Sequence, residues 1–344
     1  MMSHSPNRDP QHSRLHHVKL LRSETIGRVL RLDDLETIGV SSQTLAEEAI
    51  AEGDLAFAAA LIGYYHNEMR IMHNIMRTWI QDTIRYIVLK SGAEDVSATH
   101  AASAILYTFD AYPFGEAERD HAAAALDAGD TAPALFWLER MRLAFLNVHD
   151  VLVAWMQNLL SSIAADFQEP AVLETILHTH QDIWGDRYAA WDQMTPWEKV
   201  ALTVEGMRGG HFSGMRRRGD VIVEDQGDRF MVAFDPCGSG GVLRRGDSET
   251  GRSPINVTLH GVNQESHLWT WQKTGVHWYC SHCAIAMEWL PGHKRRYLLR
   301  PLDHTLDHGA PCPWYIYKKD RLIRAEHYPR TGHTKPDEAA IAQE

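Results

Sequence analysis

The four cysteines of the chain lie in three short segments of its second half. Cys280 and Cys283 form a Cys-x-x-Cys pair in WYCSHCA, whereas Cys237 and Cys312 lie in FDPCGSGG and GAPCPW, which are typical of turns. Two thiolates separated by two residues can bind one tetrahedral ion, and a structural zinc ion takes four ligands of this kind. Because turns place backbone N–H groups near the thiolates, the sequence predicts a zinc site made of Cys237, Cys280, Cys283 and Cys312.

Two other interpretations of these cysteines remain open at this stage. The thiols could be unrelated to one another, or the pair could serve in redox chemistry or in an iron–sulfur site. The role of a zinc ion is open as well. A closed site of four cysteines stabilises the fold only, whereas a catalytic site keeps one position for water.

Histidines are frequent in the same region and supply candidates for proton transfer beside the metal: His211, His260, His267, His277, His282, His304 and His308. The residues that we expect to move protons are His308, His282, Glu288 and His211. An ordinary surface or core position is the alternative for each histidine. Arg208 and His211, in the glycine-flanked segment GMRGGHFSG, also form a candidate binding site for a substrate carboxylate. The run CGSGG at Cys237 predicts either an anion-binding loop or a plain turn.

The first half of the chain contains an internal repeat. Residues 49–87 align without a gap to residues 125–163, and the identical pairs include His73/His149, Trp79/Trp155, Gln81/Gln157 and Gly53-Asp54/Gly129-Asp130. Glycine ends a helix in the left-handed conformation and aspartate caps the next one. Each copy therefore predicts a short helix followed by a long helix of about 35 residues, and two copies predict a duplicated bundle.

The repeated histidines allow a second hypothesis. His73 and His149 could meet in the bundle core and ligate haem or a metal, although satisfied core histidines are the alternative. The Glu-x-x-His spacing of di-iron bundles is absent, because Arg70 and Leu146 stand three residues before the two histidines. His178 and His180 are interpreted as a solvated helix end.

The remaining pattern predicts the secondary structure of the second half. Helices are expected at about 170–190 and at 196–208, the latter with Thr195 as its cap and Pro196 at its first position. The strands and one further helix are predicted as follows: a hairpin of Val221–Glu224 with Arg229–Phe234; strands Ile255–Leu259, Leu268–Trp271, Val276–Tyr279, Tyr297–Arg300 and Trp314–Lys318; and a helix Ala284–Leu290.

The predicted fold class is α+β, with an N-terminal duplicated long-helix bundle followed by a small zinc-binding α+β domain. We expect a mobile tail at 1–30, the helical domain at 31–208, the Cys/His-rich metal-binding domain at 209–328 and a second mobile tail at 329–344. The boundary follows a shift in composition, because the chain is rich in Ala, Leu and Met before Gly209 and rich in glycine after it.

Composition limits the functional classes. With 344 residues, a net charge of −11, 44% hydrophobic and 23% charged residues, the chain is typical of a globular protein. The negative charge disfavours binding to nucleic acid or to an anionic membrane surface. No run of apolar residues is long enough for a signal peptide or a membrane span, so we expect a cytoplasmic protein. The expected partner is a small molecule, and a homo-oligomer remains open.

The segments YCSHCAIAMEWLPG and RPLDHTLDHGAPCPWYIYK are similar in layout to the domain shared by 4-vinyl-reductase-like and L-2-amino-thiazoline-4-carboxylic acid hydrolase-like proteins. The similarity covers roughly residues 210–320 and consists of the helix after a Cys/His turn and a last cysteine before an aromatic strand. The resemblance implies an α+β domain that binds small molecules and in some members hydrolyses a C–N or C–S bond.

The function expected from the sequence is a zinc-dependent hydrolase or lyase that acts on a small polar molecule. One alternative is a non-enzymatic small-molecule-binding or scaffold protein with a structural zinc. The other is a haem- or metal-binding helical bundle around His73 and His149.

Overall fold

A computed structural model describes residues 13–92, 114–249, 251–254, 261–307 and 310–337. The fold combines many helices with two small antiparallel sheets, in agreement with the predicted α+β class. The helices are α1 Ser42–Glu52, α2 Leu55–Ser91, α3 Glu116–Asp127, α4 Thr131–Phe167, α5 Pro170–Gln193, α6 Pro196–Glu205, α7 Gly240–Arg245, α8 Trp278–Ala284 and α9 Leu290–Arg295. The strands are β1 Leu20–Ser23, β2 Arg28–Arg31, β3 Ile222–Asp225, β4 Arg229–Ala233 and β5 Trp314–Tyr317.

The first half contains two pairs of a short and a long helix, α1–α2 and α3–α4. Both long helices have 37 residues, and each short helix packs on the long helix that follows it. Gly53 and Gly129 take positive φ angles of 82° and 75° between the helices of each pair. Asp54 accepts a hydrogen bond from the Phe57 amide, as the N-cap interpretation requires. Asp130 makes no side-chain cap bond, because Pro133 at the equivalent position has no N–H.

Helices α5 and α6 confirm the two helices expected after the repeat. Thr195 accepts from the Glu198 amide, and the Glu198 side chain accepts from the Thr195 amide, so the capping box is complete. Helix α6 then widens into a π-helical turn at Gly206–Gly210. Helix α5 packs on both α2 and α4.

Strands β3, β4 and β5 form one antiparallel sheet in that order, which confirms the predicted hairpin and the predicted last strand. Three other expected strands are wrong or untested. Leu268–Thr270 is a 3₁₀ turn, residues 297–300 contain no strand, and Ile255–Leu259 lies outside the described residues. Trp269, Trp271, Leu298 and Leu299 are buried core side chains, and short apolar runs do not distinguish a strand from a buried helix or turn.

The expected strand Val276–Tyr279 is also wrong, and the correction changes the cysteine pair. Helix α8 begins at Trp278, continues as a π-helical turn at Ile285–Trp289 and ends in α9. The predicted helix at Ala284–Leu290 therefore starts six residues too late. Cys280 and Cys283 lie on a helix rather than in a turn, and their spacing of three places them on one face.

The main hydrophobic core joins the two halves of the chain. It combines Trp79 and Met156 from α2 and α4 with Trp278 and Ile285 from the α8 region. A second core lies between α1, α3 and the first halves of α2 and α4.

Segments expected as tails also contain defined structure within the described part of the chain. Leu20–Ser23 pairs with Arg28–Arg31 in a hairpin, and Thr331 is fully buried in a 3₁₀ turn at Pro329–Thr331.

Helix α4 is long and apolar enough to cross a membrane by length and composition. Half of the most apolar 18-residue stretch of this helix is buried inside the fold, as in a core helix of a globular protein. The same helix packs against α2, α3, α5 and α8.

Candidate active site

All four cysteines line one cavity of about 620 Å³. Cys237 follows β4, Cys280 and Cys283 lie on α8, and Cys312 precedes β5. All four are free thiols, and Cys280 and Cys312 are buried. Within the described ranges, no three His, Cys, Asp or Glu side chains lie close enough together to hold a metal ion. The sulfurs therefore share one cavity wall without forming a closed ligand set.

Helix α8 is fixed in this position by α4. Gln157 of α4 is buried; its Oε1 accepts from the Tyr279 amide at 2.9 Å and its Nε2 donates to the Gly261 carbonyl at 2.7 Å. The Tyr279 amide is one of the N–H groups in the first turn of a helix that have no partner within the helix. The glutamine thus supplies the missing acceptor and orients the face that carries the cysteine pair.

The glycine-rich segment after Cys237 allows a close approach of backbone to sulfur. A Cβ atom added at Gly240 would lie 2.5 Å from Cys280 Sγ, and one added at Gly241 would lie 2.9 Å from Cys237 Cβ. Both distances are shorter than real Cβ contacts. The glycines of CGSGG therefore have a packing role, which favours the plain turn over the anion-binding loop.

Burial favours the neutral form of three of the thiols, Cys280, Cys283 and Cys312. Burial raises the pKa of Cys280 to about 12 and also raises the pKa of Cys283 and of Cys312. Arg244 is a cation beside these thiols, with Nη2 3.8 Å from Cys312 Sγ and Nη1 donating to the Thr305 carbonyl at 2.7 Å. Bound metal would favour the thiolates that this burial opposes.

A second buried arginine lies in the same wall. The Arg300 guanidinium lies between the rings of Trp191 and Trp314, 5.1 and 5.0 Å from their centroids, and donates to Thr203 Oγ1 at 2.8 Å. Its Nη2 faces Met287 Sδ at 2.9 Å, a weak acceptor. Burial lowers the pKa of Arg300 to about 10.

Neither Arg244 nor Arg300 pairs with a carboxylate in the part of the chain that the structure describes. The fully buried arginines elsewhere each contact one: Arg31 with Asp33, Arg142 with Glu139, Arg208 with Glu68 and Arg217 with Asp150. The cavity wall therefore holds two buried cations that have no carboxylate partner among the described residues.

Four histidines also line the cavity: His180, His211, His282 and His304. His282 Nδ1 lies 2.5 Å from the Tyr279 carbonyl, which fixes the proton on Nδ1 and leaves Nε2 as the acceptor, 3.8 Å from Cys283 Sγ. His304 stacks on Trp271 at 4.5 Å. Both ring nitrogens of His304 are buried without a hydrogen-bond partner among the described residues. Such unsatisfied groups in a cavity wall are typical of a site that receives water or a ligand.

The two π-helical turns border the same cavity. Met207 lies in the first and Met287 in the second, and both line the wall. Turns of this kind are rare and occur frequently at functional sites. The first one also ends at His211 and so brings that side chain to the cavity.

The structure does not bring every predicted residue to the cavity. Glu288 is fully buried elsewhere, where it pairs with Arg330 at 2.9 Å and accepts from the Leu302 amide at 2.9 Å. Arg208 pairs with Glu68, so its guanidinium is not available to a substrate carboxylate. His308 and His260 lie outside the described residues.

The repeated histidines have different contacts. His73 Nε2 lies 3.1 Å from the Phe145 carbonyl, whereas His149 contacts both Asp150 and His211. These contacts are those of core histidines satisfied by the protein. His180, interpreted from the sequence as a solvated helix end, is buried in the cavity wall beside Trp79, with ring centroids 5.2 Å apart.

Comparison with known proteins adds no assignment to this geometry, because no protein-family model, curated protein or solved structure matches the chain.

Proposed function

We propose that the protein is a zinc-dependent hydrolase or lyase that acts on a small anionic molecule in this cavity. The observation that carries the proposal is the position of all four cysteines in one wall with Arg244 and Arg300, which contact no carboxylate of the described residues. The volume of about 620 Å³ is that of a small-molecule site.

Charge supports a thiolate-bound metal. With neutral thiols, the charges of Arg244 and Arg300 are not balanced by any carboxylate of the described residues, and an unbalanced charge is costly in a protein interior. A zinc ion with four thiolates is a dianion and would balance both. A zinc ion with three thiolates and a water is a monoanion. It would balance one guanidinium and leave the other for a negative group of the substrate.

The catalytic arrangement fits the cavity better than the closed one. A structural zinc needs no space beyond the ion, whereas these sulfurs face a volume large enough for a substrate. Arg244 lies at Cys312 Sγ and is suited to stabilise the thiolates. Arg300, held between two tryptophan rings, is suited to bind a carboxylate or phosphate.

Zinc would supply a polarised water or a Lewis acid when bound. The residues of the chain would then position the substrate and move protons. His282 presents Nε2 toward Cys283, and His211 lies in the same wall. Six aromatic side chains of the wall would exclude water around them: Trp79, Trp191, Phe234, Trp271, Tyr279 and Trp314.

The sequence repeat supports a further part of the proposal, an internal duplication of the helical half. The repeat relates α1–α2 to α3–α4, which have the same order and equally long second helices. The two copies have since acquired different contacts, because Gln157 bonds to α8 whereas Gln81 is exposed.

Cobalt substitution tests the proposal. Purified full-length protein loaded with Co²⁺ should show intense sulfur-to-metal charge-transfer absorption, and Cys312→Ser should weaken it. The zinc form should hydrolyse 4-nitrophenyl acetate faster than the metal-free form. Thiolate absorption without hydrolysis would leave a structural zinc, and no absorption in a folded protein would contradict the metal site.

A further inference from the structure

Three buried side chains, His211, His149 and Asp150, are hydrogen-bonded in series and form a relay that leads away from the cavity. His211 Nδ1 lies 2.8 Å from His149 Nε2, and His149 Nδ1 lies 3.0 Å from Asp150 Oδ1. None of the three residues is more than 6% exposed. His211 lines the cavity, and Asp150 lies at the other end of this hydrogen-bonded series.

Asp150 is held in its ionised form. Arg217 Nη2 donates to Oδ1 at 2.8 Å, and Arg252 Nη1 lies 3.0 Å from Oδ2. Burial alone would raise the pKa of Asp150, but the hydrogen bond from His149 and the charge of Arg217 bring it well below its usual value. An ionised carboxylate can only accept hydrogen bonds.

The protons on both rings follow from this carboxylate. His149 must carry its proton on Nδ1 in order to donate to Asp150. Burial lowers the pKa of His149, so the ring is neutral and its Nε2 is an acceptor. His211 must therefore donate from Nδ1, which leaves the lone pair of its Nε2 free of a proton.

We propose that Asp150 and His149 are positioning residues that fix His211 as a general base with Nε2 available to the cavity. Within the described residues, His149 is the only hydrogen-bond partner of the His211 ring. His211 Nε2 would take up a proton from a bound water or from the substrate. The resulting positive charge would be stabilised by Asp150 through His149. The role as a base depends on the proposed function, whereas the tautomer does not.

The relay is also connected to the loop that contains Cys237. Arg217 donates to Asp150, to the Phe212 carbonyl at 2.7 Å and to the Gly238 carbonyl at 2.9 Å. A Cβ atom at Gly238 would overlap the His211 carbonyl oxygen, at 1.6 Å. The backbone next to Cys237 is thus packed directly against that of His211.

Nitrogen NMR of the full chain labelled with ¹⁵N-histidine tests the tautomer, with the His211 signals assigned by their loss in His211→Asn. In the wild-type protein, His211 Nε2 should show the shift of an unprotonated nitrogen and Nδ1 that of a protonated one. The opposite pattern in the wild-type protein would overturn the proposal.

The variant Asp150→Asn tests whether the tautomers of His149 and His211 depend on each other. Asp150 Oδ1 accepts from Arg217 Nη2 as well as from His149, so the oxygen of the new amide can stay there and keep both tautomers, whereas an amide NH₂ there would reverse both rings together. The matched control is Asp247→Asn, since Asp247 contacts Arg217 at 3.5 Å but no histidine of the relay. A change of tautomer in one ring without the other in a folded Asp150→Asn protein would contradict the relay.

The zinc-loaded and metal-free proteins separate this inference from the proposed function. If the protein binds no zinc and the tautomers are as stated, the relay stands and the proposed function fails. If zinc binds and His211 Nε2 is protonated, the relay fails alone.

Discussion

The Tyr279 backbone N–H donates to Gln157 Oε1 at 2.9 Å, although 122 positions separate the two residues in the chain. This bond joins α4, one of the two 37-residue helices, to the first turn of the helix that carries Cys280 and Cys283. The position of two of the four thiols therefore depends on a side chain of the repeated helical half.

Gln157→Leu should lower the free energy of unfolding by about 1–3 kcal/mol, because a buried amide N–H and a buried carbonyl lose their partners. Urea unfolding measures the change. The control is Gln81→Leu at the repeat-equivalent exposed position, where a change within about 0.5 kcal/mol is expected. Equal effects of the two substitutions would contradict the role of Gln157.

Gly240→Ala should disturb the cavity wall at the cysteines, because the new methyl group would lie 2.5 Å from Cys280 Sγ. We expect a loss of about 1–3 kcal/mol in stability and a lower zinc content per folded chain. Gly63→Ala is the matched control, since Gly63 lies in α2 with no atom within 4 Å of the added carbon. There the substitution should stabilise the helix by about 0.5–1 kcal/mol. A fully zinc-loaded, stable Gly240→Ala protein would contradict the close approach.

Glu288→Gln should destabilise the protein by about 3 kcal/mol and leave its zinc content unchanged, because the carboxylate is a fully buried partner of Arg330 and does not line the cavity. Asp303→Asn removes the other partner of Arg330, which is half exposed, and should cost less than about 1 kcal/mol. Loss of hydrolysis in Glu288→Gln at full stability would instead restore Glu288 as a proton-transfer residue.

Stability should rise with pH between about pH 3 and 6.5, partly through His73. Burial lowers the pKa of His73 to about 3, so the unfolded chain binds a proton in this window and the folded chain does not. The contribution is fully present above pH 6.5 and is lost as the pH falls. His73→Gln should reduce the slope of unfolding free energy against pH by about 1.4 kcal/mol per unit, measured by urea titration at pH 4.5, 5.5 and 6.5. An unchanged slope would contradict the neutral state of the buried ring.

The local signals of the sequence predicted the helices well. Gly53-Asp54, Gly129-Asp130 and the Thr195 capping box mark helix ends in the structure, because caps depend on residues within one turn. The structure of residues 268–300, where strands were expected and helices and turns are found, could not be predicted in the same way. Apolar and aromatic residues there are buried by long-range packing, which local propensity does not contain.

The site was predictable in part. The four cysteines that line the cavity were identified from residue type alone, and the resemblance to 4-vinyl-reductase-like domains stays a prediction. His180 was missed, although Val172, Ile176 and His180 have the spacing of one buried helix face. Arg244 and Arg300 were also missed, because nothing local shows that a buried arginine lacks a carboxylate.

The most direct test of the central claim is X-ray absorption at the zinc edge of the full-length protein, combined with its metal content. We predict about one zinc ion per chain, with a first shell of three or four sulfurs at about 2.3 Å. Three sulfurs with one oxygen would support the catalytic site, and four would support the closed one. A folded, zinc-free chain that takes up no zinc and keeps four titratable thiols would contradict the account.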